Sequence, residues 1–122
     1  MSSHTKQMVG HLRNLKAINT KIEAASVVSA DGQIMASTFP TDMDEARVVY
    51  LSATLLSASE QLMSELKSSG LHRITLEGDN KLLVLSAVGE DAILAVLARS
   101  AANLERLFQD MRSTIDDLVR LL

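Results

Sequence analysis

The stretch Ser26-Val27-Val28-Ser29-Ala30-Asp31-Gly32-Gln33-Ile34-Met35-Ala36-Ser37 decides the fold. Asp-Gly between two short runs is a strong hairpin signal, because a type I′ turn needs positive φ at both central residues. Ala24–Ser29 and Gln33–Thr38 are therefore expected to pair antiparallel, with Phe39-Pro40 ending the second strand.

Before the hairpin, Ser3 to Glu23 reads as a helix. Met8, Leu12, Leu15, Ile18 and Ile22 recur at three- and four-residue steps and make one apolar stripe. Gly10 weakens that helix by about 1 kcal/mol relative to alanine. Its other surface carries Lys6, Arg13, Lys16 and Lys21 against a lone Glu23. A membrane-surface helix would want a large aromatic anchor on the apolar side, and none is there. The surface reads instead as the solvated face of a helix docked on a sheet.

After the hairpin, Asp42 to Ser68 reads as a long helix. Asp42 and Glu45 fit a D-x-x-E capping box, Asp44 adds negative charge at the first turn, and Gly70 stands where a C-terminal cap belongs. Leu71–Glu77 alternates like a half-exposed strand, Gly78-Asp79-Asn80 makes a turn, and Lys81–Val88 is apolar almost throughout. Gly89-Glu90-Asp91 turns the chain again into Ala92–Ala98. Its composition suits a helix, but its length and its place after a tight turn suit a strand. Asn103 to Leu122 is a last helix, with Leu104, Phe108, Met111, Ile115, Leu118 and Leu122 on one stripe and an expected Asp116–Arg120 ion pair. The order α-β-β-α-β-β-β-α predicts one α+β domain over residues 1–122, a sandwich of helices on a five-stranded antiparallel sheet.

Composition agrees with that outline. The chain has 122 residues, 47% of them hydrophobic, and only Phe39, Tyr50 and Phe108 are aromatic, so the core must be aliphatic. The absence of cysteine excludes disulfides and thiolate chemistry. The N-terminus has no signal-peptide pattern and no run approaches the roughly 20 apolar residues that span a bilayer. A cytoplasmic location without membrane insertion is expected. A formal net charge of −3 argues against nucleic acid as the main partner.

The long helix is apolar on more than one face. At about 100° per residue, Val48, Leu51, Leu55, Ala58, Leu62 and Leu66 fall in one sector, and Val49, Ala53, Leu56 and Met63 in another about 130° away. One stripe can pack on the chain's own sheet. The other needs a second surface, either the first or last helix or, more simply, a second copy of the chain. The Val49/Ala53/Leu56/Met63 stripe, with Ile74 on the following strand, is expected to face that copy. Arg47, Tyr50, Thr54, Ser57 and Gln61 lie on the polar side and form the candidate platform for another partner. Tyr50 and Arg47 are the anchors, since Tyr and Arg are enriched at binding hot spots.

Catalytic chemistry is missing. His4, His11 and His72 share no ligand spacing, and neither a phosphate-binding loop nor a nucleophile elbow is present. The expectation is a non-catalytic chain with no metal and no cofactor.

The Ser26–Ser37 hairpin, the small-residue centre Leu51-Ser52-Ala53 of the long helix, the strand pair around Ile74–Val88, Gly89 before the last strand and Asn103-Leu104 opening the final helix together resemble the roadblock / dynein-light-chain family. The likeness is to its compact prokaryotic members, among them the gliding-motility member that activates a GTPase. It implies an α-β-β-α-β-β-β-α sandwich that dimerises with its long helices side by side. The strand after them, here Leu71–Glu77, would pair with its mate. It also implies a small Ras-like GTPase as partner, or a scaffold role in a motor or membrane-associated complex. Some activators in the family carry an additional C-terminal segment that this sequence does not show. A small-molecule sensor of related architecture would need an internal pocket with polar groups to orient a ligand, and the aliphatic strands offer few.

Overall fold

The computed structural model describes residues 3–122. Its elements are α1 (Ser3–Ile18), β1 (Ile22–Ser29), β2 (Ile34–Ser37), α2 (Glu45–Glu65), β3 (Arg73–Glu77), β4 (Lys81–Val88), β5 (Ala92–Arg99) and α3 (Leu104–Val119). All pairings in the sheet are antiparallel, in the order β2-β1-β5-β4-β3. The expected α+β sandwich is the observed one.

Alternation along the central strands sends two different sets of side chains to the two faces. Val27, Leu94 and Val96 of β1 and β5, with Leu82, Val84 and Val88 of β4, meet Met8, Leu12 and Leu15 of α1 and Leu107, Met111 and Leu118 of α3. Each fully buried leucine here contributes roughly 2 kcal/mol. The other face, with Ser26, Val28, Leu85, Ile93 and Ala95, lies beneath α2.

Several boundaries differ from the expected ones, each for a local reason. The first helix stops at Ile18 instead of Glu23, and Ile22 is the buried first residue of β1. Asn19 makes the break: its side chain accepts a hydrogen bond from the Lys21 amide (3.2 Å), and its Nδ2 donates to Asp110 Oδ2 of α3 (3.0 Å). Arg106 Nε holds the same carboxylate at 3.1 Å, so the buried Asp110 is paired from both sides.

The hairpin turn is wider than a two-residue I′ turn. Gly32 has φ 90°, but Asp31 is not in the left-handed region. The Gly32 amide donates to Ser29 O and the Ser29 amide to Gln33 O. This is a three-residue loop in which a turn is closed by a left-handed glycine. The β1–β2 register then slips between Val27 and Val28. In α3, Asn103 caps the first turn by accepting from the Arg106 amide (3.0 Å). Arg120 pairs with Asp117 (3.4 Å) and not with the expected Asp116.

Candidate interaction surface

The candidate surface is built on α2 and the strand that follows it. Asp44, two residues later than the expected Asp42, is the N-cap and accepts from the Arg47 amide (3.1 Å). Glu45 does not turn back to complete a capping box. Its carboxylate accepts from Ser26 Oγ (2.8 Å), which is buried in β1, and this ties the start of α2 to the sheet. At the other end the Lys67 amide donates to Ser64 O and the Ser68 amide to Met63 O, a Schellman cap. Its left-handed residue is Lys67 (φ 62°), and the expected Gly70 (φ 76°) lies further along the loop.

Between its caps α2 buries only Val49, which is 5% exposed. Val49, Ala53 and Leu56 line the contact with Leu85, Ile93 and Ala95. Of the stripe expected to meet a second copy, Val49 is covered within the chain, while Ala53, Leu56 and Met63 stay half-buried. Met63 continues along the wall of an open groove of about 740 Å³, which also includes Leu56, Leu71, His72 and Glu90. Ile74 is half-buried on the same side of the sheet, opposite Leu85.

The other stripe is the more open one, with Val48 and Leu55 half-buried and the rest exposed. Leu51, Leu62 and Leu66 are 49%, 59% and 63% exposed. Beside α2, the sheet presents a matching row that the sequence reading missed. Leu76 pairs with Leu83 and Leu83 with Leu97 across β3, β4 and β5. Leu76 is exposed and the other two are half-buried. The signal was present, since these leucines alternate with the buried set, but only the strand order shows that they form one line.

Arg47, Tyr50, Thr54, Ser57 and Gln61 are all exposed and share one side of α2. The Arg47 guanidinium stands 5.9 Å from the centre of the Tyr50 ring, a loose cation–π pair. Thr54 Oγ1 donates to Tyr50 O (3.1 Å), so that hydroxyl is occupied within the helix. A tighter pair was not foreseen: Arg73 of β3 lies 3.7 Å over the Phe108 ring of α3 and pins the edge strand to the opposite layer. No group of three or more His, Cys, Asp or Glu side chains suited to a metal occurs among the described residues. No described helix is long and apolar enough to cross a membrane.

Residues 11–98 match the family model of the Roadblock/LC7 domain. The chain belongs to this family. MglB of Myxococcus xanthus superimposes with a TM-score of 0.90 at 16% identity, over 99% of this chain and 91% of that one. The gliding protein MglB of Thermus thermophilus gives 0.89 at 17% identity, over 99% and 92%. An uncharacterized protein of Methanocaldococcus jannaschii is 29% identical over 97 residues, 80% of this chain and 81% of that protein. At these identities the structural likenesses speak to the Roadblock/LC7 fold itself, and they agree with the element order and sheet topology described above.

Proposed function

We propose that this Roadblock/LC7 chain is a homodimeric regulator or scaffold that binds a small Ras-like GTPase. The observation that carries the dimer is the pairing of two unfilled apolar surfaces on one molecule, the Leu51/Leu62/Leu66 stripe of α2 and the Leu76/Leu83/Leu97 row of the sheet. A two-fold arrangement would let each α2 cover the row of its mate, satisfying both surfaces with one symmetric contact. Edge strand β3 would lie at the same seam, where its free backbone groups can find partners. In this seam Val49, expected from sequence to face the second copy, is covered within its own chain. Ala53, Leu56, Met63 and Ile74 remain at its inner margin.

In such a dimer the polar sides of the two α2 helices would flank one partner, with Arg47 and Tyr50 as anchors and Thr54, Ser57 and Gln61 around them. The likeness to MglB, a gliding protein of the same fold, supports a regulatory or scaffolding role of this kind. Light scattering at micromolar concentration should give the mass of a dimer. Leu62→Glu should give a monomer, because it puts an unpaired charge in an apolar seam. A monomeric wild type would refute the seam. For the partner, the cognate GTPase loaded with GDP or a GTP analogue is titrated against wild type and Tyr50→Ala. The variant should keep the dimer and bind about 2 kcal/mol, roughly thirtyfold, more weakly. A regulator should distinguish the two nucleotide states, whereas a structural adaptor of a motor or membrane-associated complex should not.

A further inference from the structure

Strand β3 reads Arg73-Ile74-Thr75-Leu76-Glu77, and its outer margin has no strand beside it. The direction of its backbone groups follows from the two ends of its ladder with β4. The Ala87 amide donates to His72 O (3.1 Å) and the Gly78 amide donates to Lys81 O (2.8 Å), so residues 72 and 78 turn their polar groups toward β4. Alternation along the strand gives Ile74 and Leu76 the same direction. Arg73, Thr75 and Glu77 therefore point their N–H and C=O groups at the open margin, where another strand can take them up.

The side chains divide in the same way. Ile74 and Leu76 stand opposite Leu85 and Leu83 on the face that carries α2, Ile74 half-buried and Leu76 exposed. Arg73, Thr75 and Glu77 stand on the other face. There the Arg73 guanidinium lies 3.7 Å over the Phe108 ring, which holds a cation in place at one end of the strand. Glu77 is exposed at the other end, and neither residue makes an ion pair among the described residues. From end to end the strand runs cation, aliphatic, threonine, aliphatic, anion. Reversed, that order is its own complement.

We infer that β3 meets a second copy antiparallel with Thr75 on the two-fold axis, and that Arg73 and Glu77 select this pairing by facing Glu77 and Arg73 of the partner subunit. This rests on the homodimer reading above and adds the register and the residues that set it. With the axis at Thr75, the outward groups of Arg73, Thr75 and Glu77 all fall in hydrogen-bonded pairs. Ile74 stands opposite the partner's Leu76 in a non-hydrogen-bonded pair, where side chains approach most closely. The Leu97–Leu83–Leu76 row then continues into Ile74 of the partner subunit. Competing registers are worse. An axis at Arg73 sets arginine against arginine, an axis at Glu77 sets glutamate against glutamate, and in-register parallel pairing does both. An axis at Ile74 or Leu76 sets Thr75 against a charged residue and slides one end of the strand past its mate into a loop.

The test is charge exchange, read by analytical ultracentrifugation of the full chain. Arg73→Glu should raise the dimer dissociation constant about tenfold or more, and so should Glu77→Arg, since each sets like charges across both symmetric contacts. An equimolar mixture of the two variants should recover most of the lost affinity as a heterodimer, because each carries the charges that the other lacks. Thr75→Cys gives a chain whose only cysteine lies on the axis. The Cα separation there, about 5.5 Å, is one that a disulfide bridges, so this variant should cross-link to a dimer on oxidation at micromolar concentration. A wild type that dimerises while the mixture does not recover, or while Thr75→Cys stays uncross-linked, overturns the register and leaves the homodimer reading standing. A monomeric wild type overturns both. Should Arg73→Glu not fold without its contact to Phe108, Glu77→Arg and Thr75→Cys decide: an undiminished dimer in the first, or no cross-link in the second, overturns the pairing.

Discussion

Lys67 holds a left-handed backbone (φ 62°) at the end of α2, a conformation that costs a residue with a Cβ roughly 1 kcal/mol and costs glycine almost nothing. Lys67→Gly should therefore stabilise the chain by about 0.5–1 kcal/mol in urea unfolding. A loss of stability would mean that the lysine side chain contributes more than its backbone costs. The sequence pointed to Gly70 for this role because glycine is the usual occupant. Nothing in the residue types shows that a lysine three positions earlier takes the strain. The same limit applies to the turn after β1. Asp31-Gly32 correctly located the reversal, but the number of loop residues is set by Ser29 pairing with Gln33, which composition does not reveal.

At the scale of elements, the join between α1 and α3 includes a buried polar knot within an aliphatic core. Asp110 is 7% exposed, and its carboxylate is met by Asn19 at the end of α1 and Arg106 from its own helix. Asn19→Ala removes one donor from a buried charge and should cost roughly 1.5–3 kcal/mol. Adding Asp110→Leu to that variant should recover part of the loss. If Asn19→Ala unfolds at the wild-type denaturant midpoint, water or Arg106 alone satisfies the carboxylate. Element types and order were legible because hydrophobic periodicity and turn residues agree along the whole chain. The Asn19 break was not legible, since Ile22 continues the helical spacing of Ile18 and the break rests on Asn19 contacts to the Lys21 amide and to Asp110, 91 residues away.

For the molecule as a whole, the two apolar stripes of α2 were legible as a surplus, but their assignment was not. Which stripe meets the sheet depends on the side chains of β4 and β5 beneath it. Periodicity around a helix axis gives angles between faces and no direction toward the core. On the proposed seam, the melting temperature of the wild type should rise with protein concentration, whereas that of Leu62→Glu should not. Identical, concentration-independent melting of the two would separate folding from assembly and argue against the seam.

The slip between Val27 and Val28 has a consequence for how far such an assembly can grow. A sheet with two regular margins can accept a neighbour on each and so propagate into a ribbon of indefinite length. Here the β2 margin is short, Ile34–Ser37, and its repeat is broken by the slip, so it is a poor template for another strand. The β3 margin keeps an unbroken register of five residues with β4. On the proposed seam, β3 is the margin suited to sheet extension, and an extension through it would end as soon as a single mate is found.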